Sequence, residues 1–351
     1  MKPPESTALL SYPYESPASR QHLEVAPGVR WIRLSMPFRL DHINVWAIDT
    51  HDGWVLVDTG LNTPDTVADW LAMMTQGPLA RPLQGVYATH MHPDHIGLAG
   101  WLTRRVGVPL HMSSLEYLSC RVMHADTNRE APPEGVLFHR RAGWSEAAID
   151  SYRSRFGSFG KYIHALPESY RRLQDGDQIQ LGDHSWRVIV TSGHSPEHAC
   201  LYCPDLKVLI SGDQVLPRIS SNVSVFATEP QANPLKEWYK SLDKLMQEVP
   251  DDVLVLPSHN EPFYGLHERL NSLRSGQNDA LDRLHQVLSI GSQRVVDAFP
   301  ALFKRPIGEQ DAQQLSLATG EAVACLNFLV QQGVAQCAVD PNDVAWYSLK
   351  A

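Results

Sequence analysis

One seven-residue stretch constrains this chain more than any other: Thr89-His90-Met91-His92-Pro93-Asp94-His95. Three imidazoles and a carboxylate fall within six positions. A metal needs several donors converging from a rigid base. His90 and His92 sit two apart at the end of a strand expected over Gly85–Thr89, so they can point the same way. Asp94 and His95 follow in the turn and at the start of a helix expected over Ile96–Val106, where they can reach a second position. Imidazole nitrogens and carboxylate oxygens suit Zn, Fe or Mn, and the cluster holds no thiolate. Read singly, Asp94 would be a helix cap.

Three later segments extend the pattern. Gly193-His194-Ser195-Pro196, Ser211-Gly212-Asp213 and Leu256-Pro257-Ser258-His259 each set one His or Asp just past the end of an expected strand. Site residues gather at such positions in layered α/β folds. The chain carries 16 histidines, and five of them belong to this ordered series.

The order of these segments resembles the metallo-β-lactamase fold superfamily, in which H-x-H-x-D-H is followed by G-H-[ST], G-D and a late P-[GS]-H. Asn44-Val-Trp-Ala-Ile-Asp49 with Asp58-Thr59-Gly60 also looks like that family's opening hairpin and turn. The resemblance covers about residues 25–264. It implies an α/β fold: a four-layer αββα sandwich. The chain is then expected to comprise an extended arm over 1–20, a catalytic domain over 21–264 with a helical insertion near 112–175, and a winged-helix-like domain over 265–351. Carried over residue by residue, the resemblance implies that His90, His92 and His194 hold one divalent metal ion. Asp94, His95 and His259 would hold a second, and Asp213 would bridge both beside a hydroxide. Zn is the first expectation, with Fe and Mn also accepted by such ligands. Asp94 is expected to orient the hydroxide and take its proton, and Asp58 to hold a ligand histidine in place. His198, in Gly193-His-Ser-Pro-Glu-His198, is expected to support the site rather than ligate. Arg218 and Asn222, shortly after Asp213, are expected to touch substrate.

Class B β-lactamases of this fold carry Cys or Ser where this chain has Asp213. Glyoxalase II, acyl-homoserine lactonases and related thioesterases keep the full ligand set. The resemblance therefore implies hydrolysis of an ester, thioester or lactone, with a small acyl compound as substrate. Phosphodiester cleavage is the second reading, because one winged-helix-tailed branch includes an endoribonuclease. A non-catalytic binding protein ranks third, since such proteins usually lose ligands.

Charge bears on that ranking. The formal net charge is −9, and acidic residues also outnumber basic ones after position 264. A grip on nucleic acid phosphates calls for a basic excess. The tail is therefore expected to pack against the catalytic domain or a second subunit. Cys200 and Cys203 form a C-x-x-C, but on a strand they would point to opposite faces, and no second pair exists. No apolar run approaches the roughly 20 residues of a membrane span. The N-terminal stretch lacks an apolar signal segment, and a soluble cytoplasmic protein is expected.

Further elements follow from local patterns. Hairpin strands are expected over Asn44–Asp49 and Trp54–Asp58, and a helix capped by Thr63 with Pro64 at its first position. Within the insertion, helices are expected near 113–124 and 145–156. Strands follow at Gln178–Leu181, Trp186–Val190, Ala199–Cys203, Lys207–Ser211 and Val253–Leu256. The leucines from Leu266 to Leu288, at spacings of three and four, predict a long helix. A shorter helix is expected at Val295–Phe303 and another capped by Thr319. A hairpin around Asp340-Pro-Asn-Asp343 would close the chain.

Overall fold

The computed structural model describes residues 10–350. Of the arm expected over 1–20, residues 1–9 lie outside the described residues. The rest runs without regular structure apart from a bridge between Ser11 and Tyr264. The chain forms two compact units. The first takes the chain through Thr127 together with Ser158–Ser221 and Leu245–Leu270. The second takes Asn128–Gly157, Asn222–Lys244 and everything from Asn271. The 112–175 stretch thus divides between the units.

The first unit holds two sheets. In one, β1 (His22–Ala26), β2 (Val29–Ser35), β3 (His42–Thr50), β4 (Gly53–Val57), β5 (Leu83–Tyr87), β6 (Leu110–Met112) and β7 (Arg171–Arg172) lie side by side in chain order. The first four pair antiparallel, and β4 to β7 pair parallel. The second sheet contains β8 (Gln178–Leu181), β9 (His184–Thr191), β10 (His198–Cys203), β11 (Val208–Gly212) and β12 (Leu254–Pro257), with only β11 and β12 parallel.

Alternation along the strands builds the layers. Trp31, Trp46, Ile48, Val55 and Val57 of the first sheet share one core with Trp186, Val188, Leu201, Ile210 and Leu256 of the second. Residues of opposite parity in the first sheet, Ile32, Val45, Trp54 and Leu56, pack instead against Trp70, Leu102, Tyr117 and Cys120 from helices. The period of two thus gives the first sheet one sheet-facing and one helix-facing side. The C-x-x-C divides the same way. Cys203 joins the core between the sheets, while Cys200 sits 3.6 Å from the Ser211 carbonyl, and neither is in a disulfide.

Thr63 caps the helix Pro64–Met73, its hydroxyl accepting from Thr66 N. The single helix expected from Ile96 to Val106 is broken in two, Pro93–Ile96 and Ala99–Val106. Thr59 causes the break: its hydroxyl donates to the His95 carbonyl and accepts from Leu98 N. At Gly97 a Cβ would lie 2.5 Å from both Asn62 N and the Pro93 carbonyl.

In the second unit, the helices Pro133–Arg141 and Glu146–Arg155 accompany the long helix Ala312–Gln331, which is followed by the hairpin of β13 (Ala335–Val339) and β14 (Ala345–Leu349). The long helix begins seven residues before the expected cap. Asp311 caps it, accepting from Gln314 N, and Thr319 lies mid-helix. The Thr319 hydroxyl donates to the Leu315 carbonyl and accepts from Trp144 Nε1. A buried mid-helix threonine satisfied within its own helix imitates a capping signal. The predicted leucine helix spans Leu266–Ile290. No described helix is long and apolar enough to cross a membrane.

Candidate metal centre

All seven side chains of the ordered motif series lie in the first unit, and they converge. His90, His92, His194 and Asp213 form one group, and Asp94, His95 and His259 another. In each group, one donor atom per residue lies within 4.8 Å of the others. His90 Nε2 is 2.9 Å from His92 Nδ1 and 3.3 Å from His194 Nε2. Asp213 straddles the two groups. Its Oδ2 is 3.5 Å from His194 Nε2, and its Oδ1 lies 3.5 Å from His95 Nε2 and 3.4 Å from His259 Nε2. Asp94 Oδ2 faces the second group, 3.5 Å from His259 Nε2 and 3.7 Å from His95 Nε2.

Several donors are aimed by a partner behind them. Asp58 closes β4 with a left-handed φ of 61°. Its Oδ2 accepts from His95 Nδ1 at 2.7 Å, which turns Nε2 of that ring into the cluster. The same carboxylate accepts from Thr89 N and the Thr89 hydroxyl, both at 2.8 Å, and so anchors the start of the histidine motif. His259 Nδ1 donates to the His42 carbonyl at 2.9 Å, leaving Nε2 for the site. Asn44 secures the turn behind it, donating from Nδ2 to the Pro257 and Asn260 carbonyls. Holding the second ring nitrogen fixes tautomer and orientation, as metal-binding histidines require.

His198 stands behind the cluster. Its Nε2 accepts from Asp213 N at 3.1 Å, and it belongs to neither donor group. The contact depends on Gly212, whose φ is +53° and where a Cβ would fall 2.3 Å from His198 Nε2. A side chain there would displace the histidine that holds Asp213.

Charge is divided within the cluster. Burial, reinforced by the neighbouring histidines, holds His90 well below its ordinary range, and His92 is lowered to about 3 by burial and His194. Both rings therefore stay neutral, with lone pairs free to ligate. Burial also opposes charge on His95 and His259, yet nearby carboxylates outweigh it. His95 is raised by Asp58, Asp94 and Asp213, and His259 is pushed up to about 10 by Asp213 and Asp94. Asp213 is held well below its usual value against burial by His259 and His95.

The arrangement fits divalent metal ions. His95 Nε2 and Asp213 Oδ1 are buried without a hydrogen-bond partner. Such orphaned atoms are costly unless something else satisfies them. Both belong to the donor groups, and a set of imidazoles and carboxylates is what Zn, Fe or Mn accepts.

The two expected substrate contacts lie apart in the chain's organisation. Arg218, in the first unit, donates from Nε to Glu261 Oε2 at 3.0 Å and stacks over Tyr12 at 4.4 Å. Asn222 lies in the second unit, where Nδ2 donates to Glu321 Oε2 at 2.9 Å. Two further supports lie outside the motifs. His42 follows from its register opposite Ser35, and no motif marks it. Glu116 is fully buried, and its Oε2 accepts from Met91 N. Ser113-x-x-Glu116 looks like an ordinary capping box, which disguised it.

Residues 39–259 match the metallo-beta-lactamase superfamily, and residues 281–350 match the metallo-beta-lactamase-like C-terminal domain. The structure is similar to a beta-lactamase domain protein from Burkholderia ambifaria. That likeness has a TM-score of 0.89 and 36% identity, covering 98% of this chain and 99% of the other. Among curated proteins, the chain is 28% identical over 273 residues to acyl-coenzyme A thioesterase MBLAC2 of Gallus gallus, covering 76% of this chain and 89% of that one. It is 25% identical over 294 residues to the probable metallo-hydrolase YqjP of Bacillus subtilis, covering 79% and 86%. With its sheets, its ordered His/Asp cluster and more than half of its length matched, the chain belongs to the metallo-beta-lactamase superfamily.

Proposed function

We propose that this chain hydrolyses an ester or thioester of a small acyl compound, with two divalent metal ions, zinc first, held by His90, His92 and His194, by Asp94, His95 and His259, and by Asp213 between them. The observation that carries this reading is the placement of Asp213, whose two oxygens face the two histidine groups separately. Bound divalent ions would acidify a water and polarise an acyl carbonyl.

The chain's own side chains supply the rest. Asp94 Oδ2 faces the second donor group beside His259 and His95, where the carboxylate could orient the attacking water and accept its proton. Asp58 fixes the His95 ring, and His198 fixes the Asp213 backbone, so neither donor must reorganise during the reaction. Arg218 is the proposed contact for an anionic part of the substrate, such as a coenzyme A phosphate. Its half-exposed guanidinium would exchange the Glu261 carboxylate for that anion. A thioester is supported by the likeness to the acyl-coenzyme A thioesterase. The net charge of −9 argues against an RNA substrate.

The test is a parallel assay of an acyl-coenzyme A, a lactone and a single-stranded RNA with the metal-loaded protein. Acyl hydrolysis is expected, falling at least 100-fold in His92→Ala. RNA cleavage abolished by His92→Ala, without acyl hydrolysis, would replace this reading by a phosphodiesterase. Arg218→Ala is expected to raise KM for an acyl-coenzyme A about tenfold with kcat little changed, the mark of lost uniform binding. An unchanged KM would remove Arg218 from the substrate contacts.

A further inference from the structure

One buried carboxylate connects the two loops that carry the first donor group. Glu116 sits in the first turn of the helix Ser114–Ala125 and is wholly inaccessible. Its Oε2 accepts from Met91 N at 2.9 Å, between His90 and His92. Its Oε1 accepts from Glu197 N, also at 2.9 Å, three residues after His194. A single rigid side chain thus spans from one ligand-bearing loop to the other.

The helix start reinforces the connection. Leu115 N donates to Glu197 Oε2 at 2.8 Å, and the Ser113 hydroxyl donates to the Glu197 carbonyl at 2.7 Å. Glu197 therefore caps the helix that Glu116 extends from. Ser113 makes no capping bond of its own. Both bonds to Glu116 are shielded from water, and a hydrogen bond there is stronger than at the surface.

We propose that Glu116 is a positioning residue that sets the gap between the His90/His92 loop and the His194 loop, and so tunes metal affinity at that donor group specifically. The second group has other supports: Asp58 behind His95 and the His42 carbonyl behind His259. Removing Glu116 frees the loops of the first group and leaves the supports of the second intact. The inference rests on the metal-site part of the proposed function and is independent of the substrate.

Zinc uptake by the metal-stripped full chain, titrated against a chromophoric chelator, tests this. The wild type should take up two equivalents. Glu116→Ala should weaken one of them 10–100-fold, the range for lost outer-shell partners, and leave the other near its wild-type affinity. Cobalt-substituted protein should show an altered visible spectrum for the weakened equivalent only. Glu116→Gln keeps the length but offers one oxygen for two amides. It should fall between the two, and it decides the matter if the alanine variant does not fold. Wild-type affinity for both equivalents, with only a lower Tm, would make Glu116 a fold residue and overturn the proposal. Equal weakening of both equivalents would overturn its specificity. A wild type that binds no metal would instead sink the site reading itself.

Discussion

Asp58 shows how much of this centre depends on residues that would never touch an ion. Its two oxygens collect the Thr89 amide, the Thr89 hydroxyl and His95 Nδ1, so a single carboxylate orders both ends of the H-x-H-x-D-H segment. Its φ of 61° is uncommon outside glycine and is tolerated by aspartate. Asp58→Ala should therefore lower metal affinity about 10–100-fold, read by chelator competition, with the larger effect on the equivalent held by His95. Unchanged affinity would mean that packing alone orients the ring. Gly212 makes the complementary case. Gly212→Ala places a methyl 2.3 Å from His198 Nε2 at a left-handed φ. It should cost about 1–3 kcal/mol of stability and lower metal content as well, measured by denaturant unfolding and elemental analysis. A variant with wild-type stability and metal content would show that His198 does not hold Asp213 in place.

Among the elements, the helix Ala312–Gln331 carries two separable tests. Asp311 caps it, and Asp311→Ala should cost about 1 kcal/mol. Glu321 lies on the same helix beside Asn222. Burial pushes its carboxyl up to about 7 from 4.5, against the Asn222 hydrogen bond, which favours the charged form. An acid with a raised native pKa binds more protons folded than unfolded. Its contribution is complete below pH 4.5 and is lost as pH rises to about 7. The loss is on the order of 1–3 kcal/mol for a carboxyl that solvent partly reaches. The difference in unfolding free energy between Glu321→Gln and wild type should therefore change between pH 5 and 8, with the variant gaining relative stability at pH 8. A pH-independent difference would show that Glu321 titrates alike in the folded and unfolded chain. These elements also mark what the sequence made legible. Gln178–Leu181 and the Thr63-capped helix appear where period and cap placed them, because each is specified within a few residues. The break after Ile96 was not legible, since Thr59, thirty-six residues before the His95 carbonyl it binds, imposes it. The Thr319 cap failed for a related reason: a hydroxyl bonded to Leu315 and Trp144 presents the same letter as a cap. In the site, the donors were visible because chemistry restricts them to His and Asp at ordered strand ends. Glu116 and His42 were not, because a backbone amide or a carbonyl can be served from any element that tertiary packing brings near.

At the scale of the whole molecule, the donors come from segments spread between His90 and His259, and only folding unites them. An unfolded chain offers no such convergence, so ions that bind the native cluster stabilise the fold by mass action. At free metal about 100-fold above Kd, that linkage is worth about 2.7 kcal/mol for each ion bound. For a unit of this size it corresponds to roughly 5–10 °C in Tm. Chelation of the full chain should therefore lower Tm by about that amount for each ion removed, and restoring zinc should recover it. Asp213→Ala removes the carboxylate that faces both groups, and with it the counter-charge of His95 and His259. Its metal-free form should be less stable than the metal-free wild type, because removing one partner of a buried ion pair leaves charge on the facing imidazoles uncompensated. The chelator should then shift its Tm by much less. A wild-type Tm indifferent to chelator, in protein shown to contain metal, would place the ion somewhere other than this cluster. A metal-free Asp213→Ala variant as stable as the metal-free wild type would show that the ion pairs with His95 and His259 do not stabilise the empty cluster.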